Sequence, residues 1–339
     1  MTRVAAIDCG TNTIRLLIAE ADRDDSWRPR LEVLRRRNEI VRLGQGVDRT
    51  GLLDPEALER TLAAVASYAA DCAELGVAPG GDVRRFVATS ATRDARNRED
   101  FVAGVRSLLG IEPEVVSGQE EARLSFTGSL LGAGEEEGTP EPGECEPAPR
   151  LVVDLGGGST ELVLGVDEPC AAISLDTGSV RITERFLADG VTPEAAARAE
   201  VRGLLDEAER VVDLSAPGRL VGLAGTITTV TAHALDLQAF DPQALNGAEL
   251  SPQTVLASCE AIVHSTAEQR ASWGYLAPGR RDVIAAGALV WSEVVSRVVE
   301  RTTAAGRPLA HVTTSLYDIL DGIALSLVPD PGPAEGAWA

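Results

Sequence analysis

The chain has 339 residues, of which 44% are hydrophobic, and a formal net charge of −21. This length suits two domains that each bury a core, and the negative charge argues against non-specific binding to nucleic acid or to an anionic membrane. The sequence has no run of about 18 apolar residues and no basic, apolar leader, which predicts a cytoplasmic protein without a membrane span.

All basic side chains are arginines, because the sequence contains no lysine. A lysine of the P-loop type is therefore excluded, and any bound phosphate must rely on backbone amides, hydroxyls, arginine or metal. We predict that most arginine clusters are solvated surface, with Arg280-Arg281 among the candidates for a local basic surface. The cysteines and histidines show no metal-ligand spacing, so we predict structural roles for them.

The first predicted element is a hairpin. An apolar strand ends at Asp8, a turn follows with Gly10, Thr11 and Asn12, and a second apolar strand begins at Ile14. Glycine permits positive φ and close approach of backbone N–H groups to a ligand. A carboxylate before such a turn would repel a bare phosphate, which indicates a divalent cation between them. The hairpin thus predicts a metal-assisted phosphate site, and an ordinary glycine-rich hairpin is the alternative.

The next predicted elements are a strand at 31–40, a helix at 55–75, a strand at 85–89, a helix at 100–109 and a strand at 114–117. After the strand 85–89, Thr89 and Ser90 lead into a turn that opens a helix containing Arg93. Helix N-termini bind anions through free N–H groups, so these three residues are predicted to contact phosphate. An N-cap is the structural interpretation, and the two are compatible.

Two carboxylates, Glu120 and Glu121, follow Ser117 and Gly118 at the start of another predicted helix. Glutamates in a first helical turn are usually partners of the helix dipole. A carboxylate that faces a cleft can equally polarise a water molecule as a general base. The residues alone leave both interpretations open.

Residues 132–150 are rich in glycine, proline and glutamate, which predicts a disordered acidic surface loop. The hairpin pattern then returns at 151–164. A strand ends at Asp154, the turn contains Gly156, Gly157, Gly158 and Ser159, and Glu161 lies in the returning strand.

The flanks of the two hairpins match as well, because a strand at 170–175, a helix at 193–212 and a strand at 220–224 follow the second one. Such a repeat predicts two like domains, 1–125 and 126–328, that each offer one phosphate turn to a shared cleft. The last helix, within about 315–328, is predicted to pack back on the first domain, and 329–339 to form a flexible tail.

Strand 220–224 runs into Gly225 and Thr226, which we predict to form the far wall of the phosphate pocket. Close packing of helix on strand is the alternative role for this glycine. A strongly apolar helix is predicted to start at Pro278, and the last helix to span 319–327.

These motifs resemble those of the exopolyphosphatase/guanosine pentaphosphate phosphatase family, within the actin–Hsp70–sugar kinase superfamily. They occur in the family's order over roughly residues 3–325. The motifs that carry the resemblance are Asp8 to Thr13, Ala88 to Arg93, Ser117 to Ala122, Asp154 to Glu161, and Ala224 to Thr226. The resemblance implies an α/β fold of two ribonuclease-H-like domains around an interdomain cleft.

The resemblance also implies Mg²⁺-dependent release of terminal phosphate from inorganic polyphosphate, with Mn²⁺ as an alternative metal. Glu121 matches the glutamate that orients the attacking water, and Arg93 matches a phosphate-contacting arginine. The expected metal residues are Asp8, Asp154 and Glu161: the family associates the position of Asp154 with metal, and we expect Mg²⁺ to bridge the phosphoryl group to Asp8 or Asp154, with Glu161 supporting the metal-bound waters. Long members carry a C-terminal extension that this chain lacks, from which we expect a preference for short polyphosphates.

Other functions remain open at this point. The first is hydrolysis of the 5′ γ-phosphate of pppGpp, for which Arg15 is a candidate ligand contact that could distinguish the two substrates. A sugar or acetate kinase of the same superfamily is disfavoured by the paired glutamates, and a non-catalytic (p)ppGpp sensor by the retained acids Asp8, Glu121 and Asp154. A homodimer is an open option for the assembly.

Overall fold

The structure is a computed structural model that describes residues 2–23, 29–132, 148–187 and 194–328. Most of the predicted loop 132–150 and all of the predicted tail 329–339 lie outside the described residues, as does the predicted helix start at Pro193. In the described part of the chain, no helix is both long and apolar enough to cross a membrane.

The first half forms a five-stranded sheet, and helices cover it. The strands are β1 (Thr2–Cys9), β2 (Thr13–Arg23), β3 (Pro29–Ile40), β4 (Arg84–Ala88) and β5 (Glu114–Val115). The helices are α1 (Val47–Thr50), α2 (Pro55–Glu74), α3 (Ser90–Asp94), α4 (Arg98–Leu109) and α5 (Gly118–Ser129). The sheet order is β3-β2-β1-β4-β5, with the first three strands antiparallel and β4 and β5 parallel to β1.

The second half forms a six-stranded sheet. Its strands are β6 (Arg150–Leu155), β7 (Thr160–Gly165), β8 (Pro169–Leu175), β9 (Arg219–Leu223), β10 (Glu249–Leu250) and β11 (Val312–Thr314). Its helices are α6 (Ser179–Ile182), α7 (Glu194–Ala208), α8 (Ala224–Ala234), α9 (Pro242–Leu245), α10 (Pro252–Val263), α11 (Ala267–Ser272), α12 (Ile284–Ala304) and α13 (Ile319–Leu325).

The two sheets share one topology, which confirms the predicted repeat and the two-sheet α/β fold. Strands β8-β7-β6-β9-β11 repeat the order and directions of β3-β2-β1-β4-β5, and β10 is added antiparallel at the outer edge. In each sheet the first hairpin is central, so its turn lies at the end of the sheet where the parallel strands also finish. Ligands bind at that end of parallel sheets.

Helices α5 and α13 lie between the sheets. On α5, Leu124 packs with Ile323 of α13 against the first sheet, whereas Phe126 packs against Val152 and Val163 of the second sheet. The C-terminal helix therefore returns to the first sheet, and the predicted boundary between 125 and 126 falls inside α5.

The predicted helix start at Pro278 is wrong. Residues Pro278–Arg280 form a 3₁₀ turn, and α12 begins at Ile284. This turn packs closely on the other half of the molecule, because a Cβ on Gly279 would lie 2.8 Å from Cδ1 of Ile40. Helix α12 is strongly buried, as the apolar pattern predicts, with Trp291 completely enclosed.

Candidate active site

The turns of the two central hairpins are built alike. The amide of Gly10 donates to the carbonyl of Thr13 at 2.9 Å, and the amide of Gly156 donates to the carbonyl of Ser159 at 3.0 Å. Strand register places Asp8 opposite Arg15 in one hairpin, and Asp154 opposite Glu161 in the other. Each hairpin thus has one acid before its turn. The two hairpins differ in the residue paired with that acid on the returning strand, which is Arg15 in the first and Glu161 in the second.

Both turns face one cavity of about 100 Å³. Most of the residues predicted from the sequence line it. They are Asp8, Gly10, Thr11, Asn12, Arg15, Thr89, Ser90, Glu121, Asp154, Gly156, Gly157, Ser159, Glu161, Gly225 and Thr226. Arg93 and Gly158 do not line this cavity: Arg93 bonds Glu121, and Gly158 faces Thr11 and Ser90.

Glu121 is 7% exposed, on the first turn of α5. Ser117 accepts a hydrogen bond from the amide of Glu120 and caps this helix. The cap fixes where the helix starts and thereby the position of Glu121 on its first turn. Arg93 Nη1 donates to the carbonyl of Val116 at 2.9 Å and to Glu121 Oε2 at 3.3 Å. Arg93 therefore contacts the glutamate and not the cavity, which differs from the predicted phosphate contact.

Burial raises the pKa of Glu121 to about 8; the guanidinium of Arg93 opposes this rise, and the carboxylates of Asp154 and Asp8 add to it. Burial likewise raises the pKa of Asp154 to about 6 and the pKa of Glu161 well above its usual range. Several acids that share one small space favour protonation of some of them until a cation neutralises the charge.

Arg15 bridges two carboxylates of the site. Its Nε and Nη2 donate to Asp8 Oδ2 at 2.9 and 2.7 Å, and its Nη1 donates to Asp318. Burial works against the charge of Arg15, but Asp318 and Asp8 outweigh it and raise the pKa of this guanidinium. Arg15 lines the cavity with a fixed orientation, since both ends of its guanidinium are held.

The acids on the other hairpin each bind a hydroxyl. Asp154 Oδ2 accepts from Ser125 at 2.6 Å, and Glu161 Oε1 accepts from Ser174 at 2.7 Å. These bonds orient the carboxylates, as outer partners commonly orient metal ligands. Carboxylate oxygens are also the donors that Mg²⁺ and Mn²⁺ prefer.

The three predicted metal residues do not converge tightly enough to ligate one ion together. Within the described ranges, a trio of metal-ligating side chains with ligand atoms within 4.8 Å of one another occurs only at Glu194, Glu260 and His264. Since Mg²⁺ commonly uses one or two protein carboxylates and keeps several waters, the donors in the cavity still fit that ion. The expectation that Mg²⁺ binds Asp8 or Asp154, with Glu161 supporting its bound waters, therefore stays a prediction.

The trio consists of one histidine beside two glutamates. His264 Nδ1 faces Glu194 Oε2 at 3.9 Å, and His264 Nε2 faces Glu260 Oε2 at 3.5 Å. This trio does not line the cavity between the phosphate turns.

Sequence reasoning missed three contacts around the cavity. Asp318 holds Arg15 from a position 303 residues further along the chain, and Ser125 and Ser174 bind acids on other elements. No local pattern marks such partners, because only the packing of α5, β8 and α13 against the hairpins brings them together. Arg280, a candidate for basic surface, lines the cavity, whereas Arg281 donates to the carbonyl of Ala271.

A wider groove of about 770 Å³ continues from the cavity and shares Arg15, Ala224, Gly225 and Arg280 with it. Its outer walls carry both aromatic and charged side chains, including Phe240, Tyr317, Arg36 and Arg37. Arg36 bonds Asp321, and Arg37 bonds Asp71. The groove therefore adjoins the small cavity at the four residues that they share.

Two like sheets with facing glycine turns and an acid-lined cavity between them define an α/β protein of two similar halves with its site between them. The model of the Ppx/GppA phosphatase family matches residues 18–304. The chain belongs to the Ppx/GppA phosphatase family, and is thereby a phosphoanhydride hydrolase.

Several relatives match nearly end to end. Exopolyphosphatase 2 of Mycobacterium tuberculosis is 44% identical over 96% of this chain and 99% of its own length. The crystal structure of an exopolyphosphatase-like protein is 40% identical, with a TM-score of 0.84 over 96% of this chain and 97% of that one. The Ppx/GppA family member of Aquifex aeolicus is 27% identical, with a TM-score of 0.71 and coverage of 96% and 97%.

Proposed function

We propose that this protein is an exopolyphosphatase that releases terminal orthophosphate from short inorganic polyphosphate chains, with Mg²⁺ as the cofactor. The observation that carries the proposal is that a buried glutamate, Glu121, lines the same cavity of about 100 Å³ as both glycine turns. A single terminal phosphoryl group suits this volume, and a buried carboxylate beside it suits activation of water.

In this mechanism the terminal phosphoryl group lies between the turn at Gly10 and the turn at Gly156. Backbone amides and the hydroxyls of Thr11 and Ser159 bind its oxygens, and Arg280 balances their charge. Mg²⁺, when bound near Asp8 and Asp154, would neutralise charge on the phosphate oxygens. Phosphoryl transfer demands positioning and charge neutralisation more than covalent chemistry, and this cavity supplies both.

Glu121 orients a water molecule in line with the scissile P–O bond and takes its proton as the new P–O bond forms. The bond to the bridging oxygen breaks, so that orthophosphate and a chain shortened by one unit leave. Arg93 holds the accepting carboxylate in place through its bond to Oε2. The raised pKa of Glu121 suits a base only when cationic charge nearby favours the ionised form.

The preference for short chains follows from the charges along the groove. Arg15, Arg36 and Arg37 each bond protein carboxylates, which reduces their attraction for further phosphates of a long chain. The formal net charge of −21 adds repulsion at long range. A short chain avoids most of this cost, because its terminal phosphates remain near Arg15 and Arg280.

One observation favours a second candidate, the 5′-phosphohydrolysis of pppGpp. The groove beyond Arg280 is large enough for a nucleoside, and Phe240, which is 53% exposed, lines it together with Tyr317. Exposed aromatic faces bind planar bases by stacking. Arg15, the candidate ligand contact for this substrate, lines both the cavity and the groove.

Phosphate release measured side by side tests both candidates. The substrates are polyphosphates of defined length from tripolyphosphate upward and pppGpp, each with Mg²⁺, with Mn²⁺ and with chelator. We expect release from polyphosphate to depend on the metal and kcat/KM to fall as chains lengthen. A higher kcat/KM for pppGpp that Phe240→Ala lowers, without change on tripolyphosphate, would favour the second candidate. No release from any polyphosphate would refute the first.

A further inference from the structure

An arginine outside the cavity joins the two halves of the molecule directly behind the phosphate turns. Arg181 lies on α6, and its side chain is 11% exposed. Its Nε donates to the carbonyl of Gly158 at 2.8 Å. Its Nη1 and Nη2 donate to Asp48 at 2.5 Å and to Asp94 at 2.7 Å. One planar guanidinium thus binds three groups from three different segments, in a rigid geometry that the ammonium of a lysine does not provide.

Helix α6 is attached to the second phosphate turn through its backbone. The amide of Ser179 donates to the carbonyl of Gly156 at 3.1 Å, and the amide of Val180 donates to the carbonyl of Gly157 at 2.9 Å. With the bond from Arg181 to Gly158, three consecutive carbonyls of this turn are bound by α6. The turn can therefore move only together with the helix that carries Arg181.

The partners of Arg181 in the first half are attached to the first phosphate turn. Asp94 ends α3, whose first residue, Ser90, lines the cavity and shares a hydrogen bond of 2.9 Å with Thr11. Asp48 belongs to α1 and follows Gly44 by four residues. Gly44 packs tightly on Thr11, because a Cβ at position 44 would lie 2.4 Å from Cγ2 of Thr11. Displacement of either aspartate would disturb the segment that holds Thr11.

The turns themselves touch at this point. A Cβ on Gly158 would lie 2.5 Å from Thr11 Oγ1 and 2.7 Å from Ser90 Oγ. Gly158 therefore serves the close approach of the two halves and not the lining of the cavity, which explains its place outside it. The separation of the phosphate turns is set at this contact.

We propose that Arg181 is a positioning residue that fixes the second phosphate turn at the correct distance from the first, without touching substrate. The proposal rests on the proposed function, in which both turns bind the same phosphoryl group. An error of about 1 Å in such a pair of contacts can cost about a hundredfold in rate. An ion pair that controls this distance thus contributes to catalysis from outside the cavity.

A neighbouring arginine offers a matched control. Arg185 donates to the same Asp48 at 2.7 and 2.6 Å and to Glu200 at 3.0 Å, but it does not bind Gly158 or Asp94. Each of the variants Arg181→Ala and Arg185→Ala therefore removes one positive charge and the bonds of that arginine to Asp48. Only the first also releases the phosphate turn and α3.

The test compares both variants by hydrogen exchange of the peptides that contain Gly156–Ser159, by melting temperature, and by kcat and KM on tripolyphosphate with Mg²⁺. For Arg181→Ala we expect faster exchange in this turn and a fall in kcat/KM of about tenfold or more, whereas Arg185→Ala stays within about threefold of the parent protein. Asp94→Asn, a milder variant, should shift exchange and kcat/KM in the same direction if Arg181→Ala does not fold.

Equal effects of the Arg181 and Arg185 variants on turn exchange and on kcat/KM would overturn the proposal, because charge or general stability would then explain both. Equal melting temperatures with an unequal loss of kcat/KM would support it. If the parent protein released no phosphate from polyphosphate, the proposed function would fail. The exchange contrast would still decide whether Arg181 holds the turn.

Discussion

The guanidinium of Arg280 lies directly on the α-carbon of Gly225. A Cβ built on Gly225 would be 1.2 Å from Nη1 of Arg280, so the arginine reaches the cavity only because residue 225 has no side chain. Burial and the nearby charge of Arg15 together lower the pKa of Arg280 to about 10, while Asp318 opposes this shift, so Arg280 remains a cation at neutral pH. Gly225 therefore serves the cavity indirectly, by leaving room for a positive charge.

Gly225→Ala should expel Arg280 from the cavity. We expect KM for tripolyphosphate to rise about tenfold, as for the loss of one charge-assisted contact. Arg280→Ala should show a similar rise, and the double variant should be no worse than either single variant, because both changes remove the same contact. Steady-state kinetics of the two single variants and the double variant test this expectation. Fully additive effects on KM would show that the two residues act independently.

Glu121→Gln should lower kcat by roughly two to four decades with little change in substrate binding, because it removes the base and keeps the shape. The adjacent Glu120 is the matched control, since it bonds Arg123 at 2.7 Å and Arg85 at 3.2 Å on the outer side of α5. Glu120→Gln should retain kcat within about threefold.

Phosphate release and binding of tripolyphosphate to each variant, measured by calorimetry, provide the readouts. Turnover near that of the parent protein in Glu121→Gln would remove this glutamate from the mechanism. Loss of binding together with turnover would instead assign it to the substrate or the metal.

Much of the fold could be predicted because it is encoded locally. The alternation of apolar strands around Asp8 and Asp154 defines both hairpins, and Asp54 followed by Pro55 marks the start of α2, where Asp54 caps the amides of Glu56 and Ala57. Helix ends depended on packing instead. Pro278 starts a 3₁₀ turn against Ile40, a residue from the other half of the chain, and no local pattern carries that information.

The candidate site likewise has a part that could be predicted from the sequence and a part that could not. Its glycine turns and acids are neighbours in sequence, and the structure gathers most of them around one cavity. Gly158 has the same local pattern as Gly156 and Gly157, yet it faces Thr11 and not the cavity, because its position is decided by the approach of the two halves. The partnership of Arg15 with Asp318 was also out of reach, since 303 residues separate them.

The clustered acids predict how stability depends on pH without metal. Burial raises the pKa of Glu121 to about 8 and of Asp154 to about 6, from the ordinary values of 4.5 and 3.8. Folding then takes up protons, so this contribution to stability is complete below the ordinary values and is lost as pH rises through the raised ones. We expect the melting temperature in chelator to fall between about pH 5 and about pH 8.

Added Mg²⁺ should raise the melting temperature more at about pH 8 than at about pH 5, because the ion binds ionised carboxylates. Glu121→Gln should flatten the fall in chelator, since its amide carries no charge to bury. Thermal melts of both proteins across this pH range test the assignment. A steeper fall in the variant, or a Mg²⁺ effect independent of pH, would contradict it.

The crossing of α5 and α13 depends on two glycines. A Cβ on Gly128 would lie 1.8 Å from the carbonyl oxygen of Asp318, and a Cβ on Gly322 would lie 2.0 Å from that of Leu124. Since both obstacles are backbone atoms, neither can rotate away, and Gly128→Ala must push the helices apart. We expect it to lower the free energy of unfolding by about 1–3 kcal/mol.

Gly203→Ala on α7 is the control, because nothing lies within 4 Å of a Cβ at that position. There the substitution should stabilise the helix by about 0.8–1.0 kcal/mol. The free energies of unfolding of the two variants, measured by denaturant unfolding, should therefore change in opposite directions. The Gly128 variant should also lose kcat beyond what its stability explains, because α5 carries Glu121 and α13 is preceded by Asp318, the partner of Arg15. Normal kcat in a destabilised but folded Gly128→Ala protein would show that the crossing only joins the halves and does not set the positions of these side chains.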